Sequence, residues 1–136
     1  MALIYLPDTN AWIGYLRGKD AALVQRFLQT DPADIRLGSV VLGELLYGVD
    51  HGPASDQAHN MSLLAQMRQQ FTSIPFDDRA ADEYGQIRAH LTARGTLIGP
   101  NDMPIAAIAR ANGLTLVTHN TAEFRRVSGL NMKGWQ

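Results

Sequence analysis

Residues 2–10, ALIYLPDTN, decide the fold class, because an apolar run ends abruptly at Asp8 and polar residues follow it. A short apolar run bounded by turn-forming residues is typical of a strand buried inside a sheet. A second apolar run, Leu114–Thr118, lies near the other end of the chain. Helical patterns separate the two runs. Strands that alternate with helices predict an α/β domain in which helices cover both faces of a mostly parallel sheet.

The rest of the pattern predicts a full alternation of strands and helices. We predict strands over 2–7, 35–38, 73–76, 114–118 and 130–135, and helices over 10–17, 20–29, 39–49, 52–71, 79–94, 101–112 and 120–126. Ser39 is predicted to cap the third helix, and Asp77 or Asp78 the fifth. With 136 residues, the chain is too short for a second core, so we predict one domain over residues 1–136.

The composition excludes several classes of protein. Hydrophobic residues make up 46% of the chain, which is ordinary for a packed globular domain. The sequence has no cysteine, which excludes disulfides, thiolate metal sites and a cysteine nucleophile, and fits a reducing cytosol. The first residues lack the basic stretch of a signal peptide, and no apolar run is long enough to span a membrane. We therefore expect a cytoplasmic protein with no membrane partner.

The charge is distributed unevenly along the chain. Residues 1–87 carry a net charge of −5 and residues 88–136 a net charge of +4, for a total of −1. Ten of the twelve basic residues are arginine, whose planar guanidinium suits phosphate contacts. A solvated surface explains the same asymmetry equally well. The arginines of the basic part that are candidates for phosphate contacts are Arg88, Arg94, Arg110, Arg125 and Arg126.

Four acidic residues are candidates for a functional site, and each also has a local explanation. Asp8 can cap the first helix. Glu44 lies in an almost wholly apolar helix, where an ionised carboxylate is costly unless it reaches solvent or binds a partner. Asp102 can stabilise a helix N-terminus. Glu123 follows Asn120 at the spacing of a capping box.

Taken together, three of these acids predict a metal site. Ligands of open α/β sheets bind at the carboxyl ends of the strands, and this topology gathers Asp8, Glu44 and Asp102 there. Carboxylates without thiol or imidazole partners suit a hard cation, Mg²⁺ or Mn²⁺. The sequence contains no phosphate-binding loop, dinucleotide fingerprint or nucleophile elbow. We therefore favour hydrolysis by metal-activated water over other chemistries.

Four segments resemble the PIN-domain family, and most closely the VapC toxins of bacterial type II toxin–antitoxin pairs. The segments are Asp8–Asn10, Glu44–Gly48, Gly99–Ala107 and Leu116–Asn120 with Glu123 after it. Their order and separations match the family along essentially the whole chain. The resemblance implies a three-layer α/β/α sandwich with a mostly parallel central sheet. It also implies an endoribonuclease that uses Mg²⁺ or Mn²⁺.

The resemblance implies a role for particular residues. Asp8, Glu44 and Asp102 would hold the metal, and Glu123 would join them as a catalytic acid. The residues that would support the site are Thr9, Asn10, Ser39, Thr118 and Asn120. Many relatives have an aspartate in the last motif, whereas this chain offers Asn120 and Glu123. Which of these two completes the site stays open at this point.

The resemblance also implies partners. These are an RNA substrate, a VapB-type antitoxin that blocks the site, and a second copy of the chain. Gln86–Arg88 and Gly95–Pro100 resemble the branch of the family that cleaves initiator tRNA, so the implied RNA is tRNA. Operator DNA would be bound only through the antitoxin. The first helix carries Trp12, Ile13, Tyr15 and Leu16, which belong either to the core or to a dimer interface.

Two other functions remain open from the sequence. One is a receiver-like signalling domain, which the chain fits poorly because neither of its two lysines follows a core strand. The other is a catalytically silent PIN-like module that binds RNA or protein.

Overall fold

Five short strands form the centre of the molecule in the computed structural model, which describes residues 3–135. They are β1 (Tyr5–Pro7), β2 (Arg36–Gly38), β3 (Thr72–Ile74), β4 (Thr115–Val117) and β5 (Asn131–Lys133). β1 pairs in parallel with β4, β4 with β5, and β2 with β3. A parallel bridge between Tyr5 and Ile35 joins the two groups, so the strand order is β3–β2–β1–β4–β5. The predicted α/β fold with a parallel sheet is confirmed. Residue 2 of the predicted first strand lies outside the described residues.

Within the part of the chain that the structure describes, seven helices connect and flank these strands. They are α1 (Thr9–Arg17), α2 (Ala21–Gln29), α3 (Ser39–His51), α4 (Ala54–Gln70), α5 (Asp78–Ala93), α6 (Asp102–Ala111) and α7 (Thr121–Phe124). α5 packs along α6, which contacts β4, while α1 contacts β1, α2 and α3. Within the described residues, no helix has both the length and the apolar character that crossing a membrane requires.

Two local predictions differ from the structure or are narrowed by it. Ser39 is not the cap of α3. The helix follows β2 without a linking residue, so Gly38 takes the cap position and Ser39 is already helical. The Ser39 hydroxyl instead accepts a hydrogen bond of 3.0 Å from the Phe76 N–H. Asp77, rather than Asp78, caps α5 by accepting from the Ala80 N–H at 3.0 Å. Pro32–Asp34, between the predicted helix over 20–29 and the predicted strand over 35–38, forms a 3-10 turn.

The core explains the apolar surplus of α1. Trp12 is fully buried, and its ring centroid lies 5.1 Å from that of Phe27 and 4.9 Å from that of Phe71. Tyr15 stacks on Phe27 at 4.2 Å, and Ile13 and Leu16 pack partly buried against the same core. The interface interpretation of α1 is therefore wrong for Trp12, whose surface is already used within this chain.

Gly18 ends α1 in the left-handed conformation, with φ 65°. A Cβ there would meet nothing within 4 Å, so Gly18→Ala is expected to lower the free energy of unfolding by about 1 kcal/mol through backbone strain alone. Gly85 is the matched control, since it lies in α5 with equally open space around it. Gly85→Ala should raise stability by up to about 1 kcal/mol. Urea unfolding measures both, and equal losses at the two sites would contradict this interpretation.

Candidate active site

Asp8 stands where β1 ends and α1 begins. Its N–H donates to the Val117 carbonyl at 2.9 Å, which continues the pairing of β1 with β4. Its Oδ1 accepts from the Ala11 N–H at 2.8 Å, and its Oδ2 accepts from the Thr118 hydroxyl at 2.6 Å. The side chain is only 5% exposed. Asp8 is therefore both the cap of α1 and a carboxylate held in one orientation at the end of the sheet.

Asp102 is positioned by the turn that begins at Gly99. The Gly99 carbonyl accepts from the N–H groups of Asp102 and Met103, at 3.0 and 3.2 Å, and so starts α6. A Cβ at Gly99 would lie 2.8 Å from Asp102 Oδ2, which is too close for an unshifted carboxylate. The glycine thus provides the space in which the Asp102 side chain lies.

Glu123 reaches from α7 to the same turn. Its Oε1 accepts from the Gly99 N–H at 2.8 Å, and its Oε2 accepts from the Asn120 side-chain amide. α7 has no side-chain cap, so the capping-box interpretation of Glu123 is wrong. Gly99 is the functional residue that sequence reasoning missed. The sequence signal for Gly99 was its position just before Pro100 and Asn101, where a turn leads into a helix that begins with an acidic residue.

Glu44 approaches the site from α3, where it is half-buried. Its Oε1 is buried and has no hydrogen-bond partner among the described residues. The hydroxyl of Thr9, next to Asp8, is buried and unpartnered in the same way. A buried oxygen without a partner costs free energy. These two oxygens are therefore available to bind a further group.

The pKa values show that the four acids act on one another. Burial, followed by repulsion from Glu123, Asp8 and Glu44, raises the pKa of Asp102 from 3.8 to about 6. Burial also raises the pKa of Asp8, against the opposing effects of its bonds to Thr118 and Ala11 and of the nearby His119. The sheet end thus concentrates negative charge in a partly desolvated place.

The chemistry of this acidic cluster fits a divalent metal. Its donors are carboxylate oxygens, the ligands that Mg²⁺ and Mn²⁺ prefer, and Glu44 Oε1 is free to bind. Among residues 3–135, no lysine or arginine forms a salt bridge with any of the four acids. Nor do any three acidic or histidine side chains there already form an arrangement that could hold a metal ion. Like charges repel, so we expect these carboxylates to move together only around a cation.

The residues expected to support the site lie at different distances from it. Thr118 holds Asp8, and its hydroxyl also accepts from the Asn120 N–H at 2.9 Å. Asn120 holds Glu123, so both candidates for the last motif belong to one arrangement. Asn10 is exposed in the first turn of α1. The Ser39 hydroxyl binds the Phe76 N–H and, within residues 3–135, makes no hydrogen bond to the four acids.

The candidate RNA-binding arginines lie on α5, at its end, on α6 and directly after α7. Arg125 and Arg126 follow α7, and Arg126 donates to the Leu97 carbonyl at 3.3 Å, close to the Gly99 turn. Arg110 is two turns beyond Asp102 on α6. It is held there by Glu83 at 2.6 Å and by the Ser128 carbonyl at 3.0 Å. Arg88 and Arg94 are exposed on α5 and at its end.

The sequence and the fold of this chain are similar to those of known proteins. The model of the PIN-domain family matches residues 5–130. The chain belongs to the PIN-domain family. This PIN domain is 35% identical over 133 residues to the tRNA(fMet)-specific endonuclease VapC of Shigella flexneri, with 98% of each chain covered. It is 32% identical to ribonuclease VapC2 of Haemophilus influenzae, again with 98% of each covered.

The fold is also similar to that of proteins with solved structures. The PIN domain superposes on DNA-bound VapBC from Salmonella typhimurium with a TM-score of 0.90, 32% identity and coverage of 99% and 100%. It superposes on VapBC2 from Rickettsia felis bound to a promoter DNA fragment with a TM-score of 0.89, 30% identity and coverage of 98% and 100%. The predicted PIN fold and the resemblance to VapC proteins are confirmed.

Proposed function

We propose that this chain is a VapC-type toxin, an endoribonuclease that hydrolyses RNA with Mg²⁺ or Mn²⁺ held by Asp8, Glu44 and Asp102. The observation that carries the proposal is the acidic cluster at the end of the parallel sheet. Its charges have no basic partner among residues 3–135, and Glu44 Oε1 is buried without a hydrogen bond. A protein keeps such a costly group when the group has a function.

The reaction would be hydrolysis of a phosphodiester. A water oxygen bonds to phosphorus while the P–O3′ bond breaks, which leaves a 5′-phosphate and a 3′-hydroxyl. A bound metal supplies activation of the water and charge neutralisation at the phosphate. The chain's part is positioning. Thr118 and the Ala11 N–H fix Asp8, while Gly99 and Asn120 fix Glu123 beside Asp102. A 2′,3′-cyclic phosphate product would contradict this chemistry.

The proposed substrate is tRNA, and initiator tRNA in particular. Two similar proteins, from Shigella flexneri and Salmonella typhimurium, bear the name tRNA(fMet)-specific endonuclease. Arg126 donates to the Leu97 carbonyl near the Gly99 turn, so Arg126 and its chain neighbour Arg125 would contact phosphates near the cut. Because such contacts release counterions, binding should weaken steeply as salt is raised.

We further propose a VapB-type antitoxin as inhibitor, with operator DNA reached only through it. The similar solved structures are VapBC proteins, two of them with DNA. A groove of about 210 Å³ between α1, α3 and α4 is lined by apolar side chains such as Ile13, Leu16 and Leu63, with Glu44 and Arg17 also at its wall. An apolar segment would fit the groove and block access to Glu44. A homodimer is proposed as well, and a monomer in solution scattering at micromolar concentration would contradict it.

The test of the nuclease is cleavage of a purified tRNA pool that includes initiator tRNA, with Mg²⁺ or Mn²⁺ and with EDTA. Asp102→Asn, purified identically, controls for a contaminating ribonuclease. We expect discrete cuts that require metal and are absent with the variant. Identical products from the two proteins would mean contamination. No cutting by folded, metal-loaded protein would favour the catalytically silent binding module.

Gly99→Ala tests how the site is positioned. The added Cβ would press on Asp102 Oδ2, the movable end of a side chain, so the free energy of unfolding should change little. A displaced carboxylate should nevertheless slow cleavage by about 10- to 100-fold. Single-turnover cleavage measures the rate, with Gly85→Ala as the control for adding a methyl group elsewhere. Unchanged cleavage by Gly99→Ala would show that the position of Asp102 is not critical.

A further inference from the structure

The exposed side of α3 carries an aromatic pair that the core does not need. α3 buries Val41, Leu45 and Val49, whereas Tyr47 is 66% exposed. The Tyr47 ring lies nearly parallel to the exposed ring of His51, with centroids 5.2 Å apart and an interplanar angle of 11°. Tyr47 is the one large apolar side chain that α3 leaves exposed. Such an exposed ring contributes little to folding and is available to a ligand.

The pair continues the acidic cluster along the helix. Residues three and seven positions after Glu44 share its side of an α-helix. Tyr47 and His51 hold these positions, about 4.5 and 10 Å further along the axis. A flat apolar surface therefore begins within one nucleotide of any phosphate held at Glu44.

Two glycines leave this side of α3 open. Gly43 lies one turn before Tyr47, and Gly48 one turn after Glu44. Added Cβ atoms at either glycine would meet nothing within 4 Å, so the packing of this chain does not require them. Glycine inside a helix costs up to about 1 kcal/mol relative to alanine. Gly43 therefore leaves the helix backbone open beside the Tyr47 ring, while Gly48 opens it at the neighbouring groove.

We propose that Tyr47, supported by His51, stacks an unpaired base of the RNA substrate next to the phosphate that is cut. This inference rests on the proposed ribonuclease function. Aromatic side chains bind the flat faces of single-stranded bases in just this way. A protein partner fits the ring less well, because Tyr47 is not among the residues that line the apolar groove assigned to the antitoxin. Its neighbours are His51 and Gly43 rather than the apolar core of a protein interface. The flat face of the base would cover the exposed ring of Tyr47, and the open space at the glycines would accommodate the sugar.

The test uses a fluorescent RNA stem–loop with 2-aminopurine in its loop, and binding is measured in EDTA and in Ca²⁺. Tyr47→Ala should weaken binding by about 10- to 100-fold and raise KM in cleavage while kcat changes little. Tyr47→Trp should retain binding and quench the 2-aminopurine. Gly43→Leu should weaken binding by filling the space beside the ring, without loss of stability. The control is Leu28→Ala, which removes a 72% exposed apolar side chain from α2.

The outcomes separate this inference from the proposed function. If the wild type cleaves RNA and Tyr47→Ala binds and cleaves equally well, the stacking role is overturned and the nuclease stands. If Tyr47→Ala disrupts self-association or antitoxin binding but not RNA binding, the surface is a protein interface and the inference is wrong. If no RNA is cleaved but binding depends on Tyr47, the nuclease fails and the stacking site stands. Absence of binding by the wild type in both buffers overturns the site.

Discussion

Asp8→Asn is expected to slow RNA cleavage by about three orders of magnitude or more while leaving α1 intact. Asp8 is the most buried of the four acids, and its carboxylate is fixed by Ala11 and Thr118. Asparagine keeps an oxygen that can accept from the Ala11 N–H, so the cap of α1 remains. It removes the negative charge that would hold the metal, whose contribution to the transition state is several kcal/mol. At about 1.4 kcal/mol for each factor of ten, this gives the expected loss.

The matched control is Asp20→Asn. Asp20 caps α2 by accepting from the Leu23 N–H at 3.1 Å, as Asp8 caps α1, but it is not among the charges that shift the pKa of Asp102. Asp20→Asn should cleave at the wild-type rate in the same single-turnover assay, with circular dichroism confirming equal helix content. Asp8→Asn activity within tenfold of wild type would mean that the Asp8 charge serves only the helix cap.

The sheet and three acids could be predicted because each depends on local pattern and simple topology. Apolar runs predicted β1 and β4, and parallel strands bring the residues that follow them to one edge. That reasoning placed Asp8, Glu44 and Asp102 without any knowledge of distances. It needed only the order of elements along the chain.

Other features depended on partners far away in the sequence. Glu123 has a perfect local capping pattern, yet its oxygens bind Gly99, 24 residues away, and Asn120. Ser39 looked like a cap, but its hydroxyl is taken by Phe76, 37 residues away. Arg110, a candidate phosphate ligand, forms an ion pair with Glu83, 27 residues away, which the sequence did not indicate. A local rule states what a side chain is able to bind, whereas tertiary structure decides which partner is closer.

Asp102→Asn is expected to stabilise the metal-free protein above pH 6 and to make no difference near pH 4. Below pH 3.8 the carboxyl is protonated in both the folded and the unfolded state. Between 3.8 and about 6 the unfolded state loses its proton first, so stability falls as pH rises through this window. The rise in pKa corresponds to at most about 3 kcal/mol. Because Asp102 is half-buried, solvent screening reduces the expected gain to about 1 kcal/mol.

Bound Mg²⁺ or Mn²⁺ should reverse the relative stability of the wild type and Asp102→Asn. A ligand that binds only the folded state at 100 times its Kd adds about 2.7 kcal/mol, so Mg²⁺ or Mn²⁺ should stabilise the wild type strongly. Asp102→Asn lacks one carboxylate and should gain much less, which would make it the weaker protein at pH 8. Thermal unfolding of both proteins at pH 4, 6 and 8, with metal and with EDTA, separates the two effects. Equal stabilisation of both by metal would place the cation elsewhere. Equal stability in EDTA at pH 8 would show that the acids do not strain the fold. We therefore expect Asp102→Asn to be the more stable protein in EDTA and the wild type to be the more stable protein with metal. This reversal requires that the negative charge which destabilises the empty site is also the charge that binds the cation.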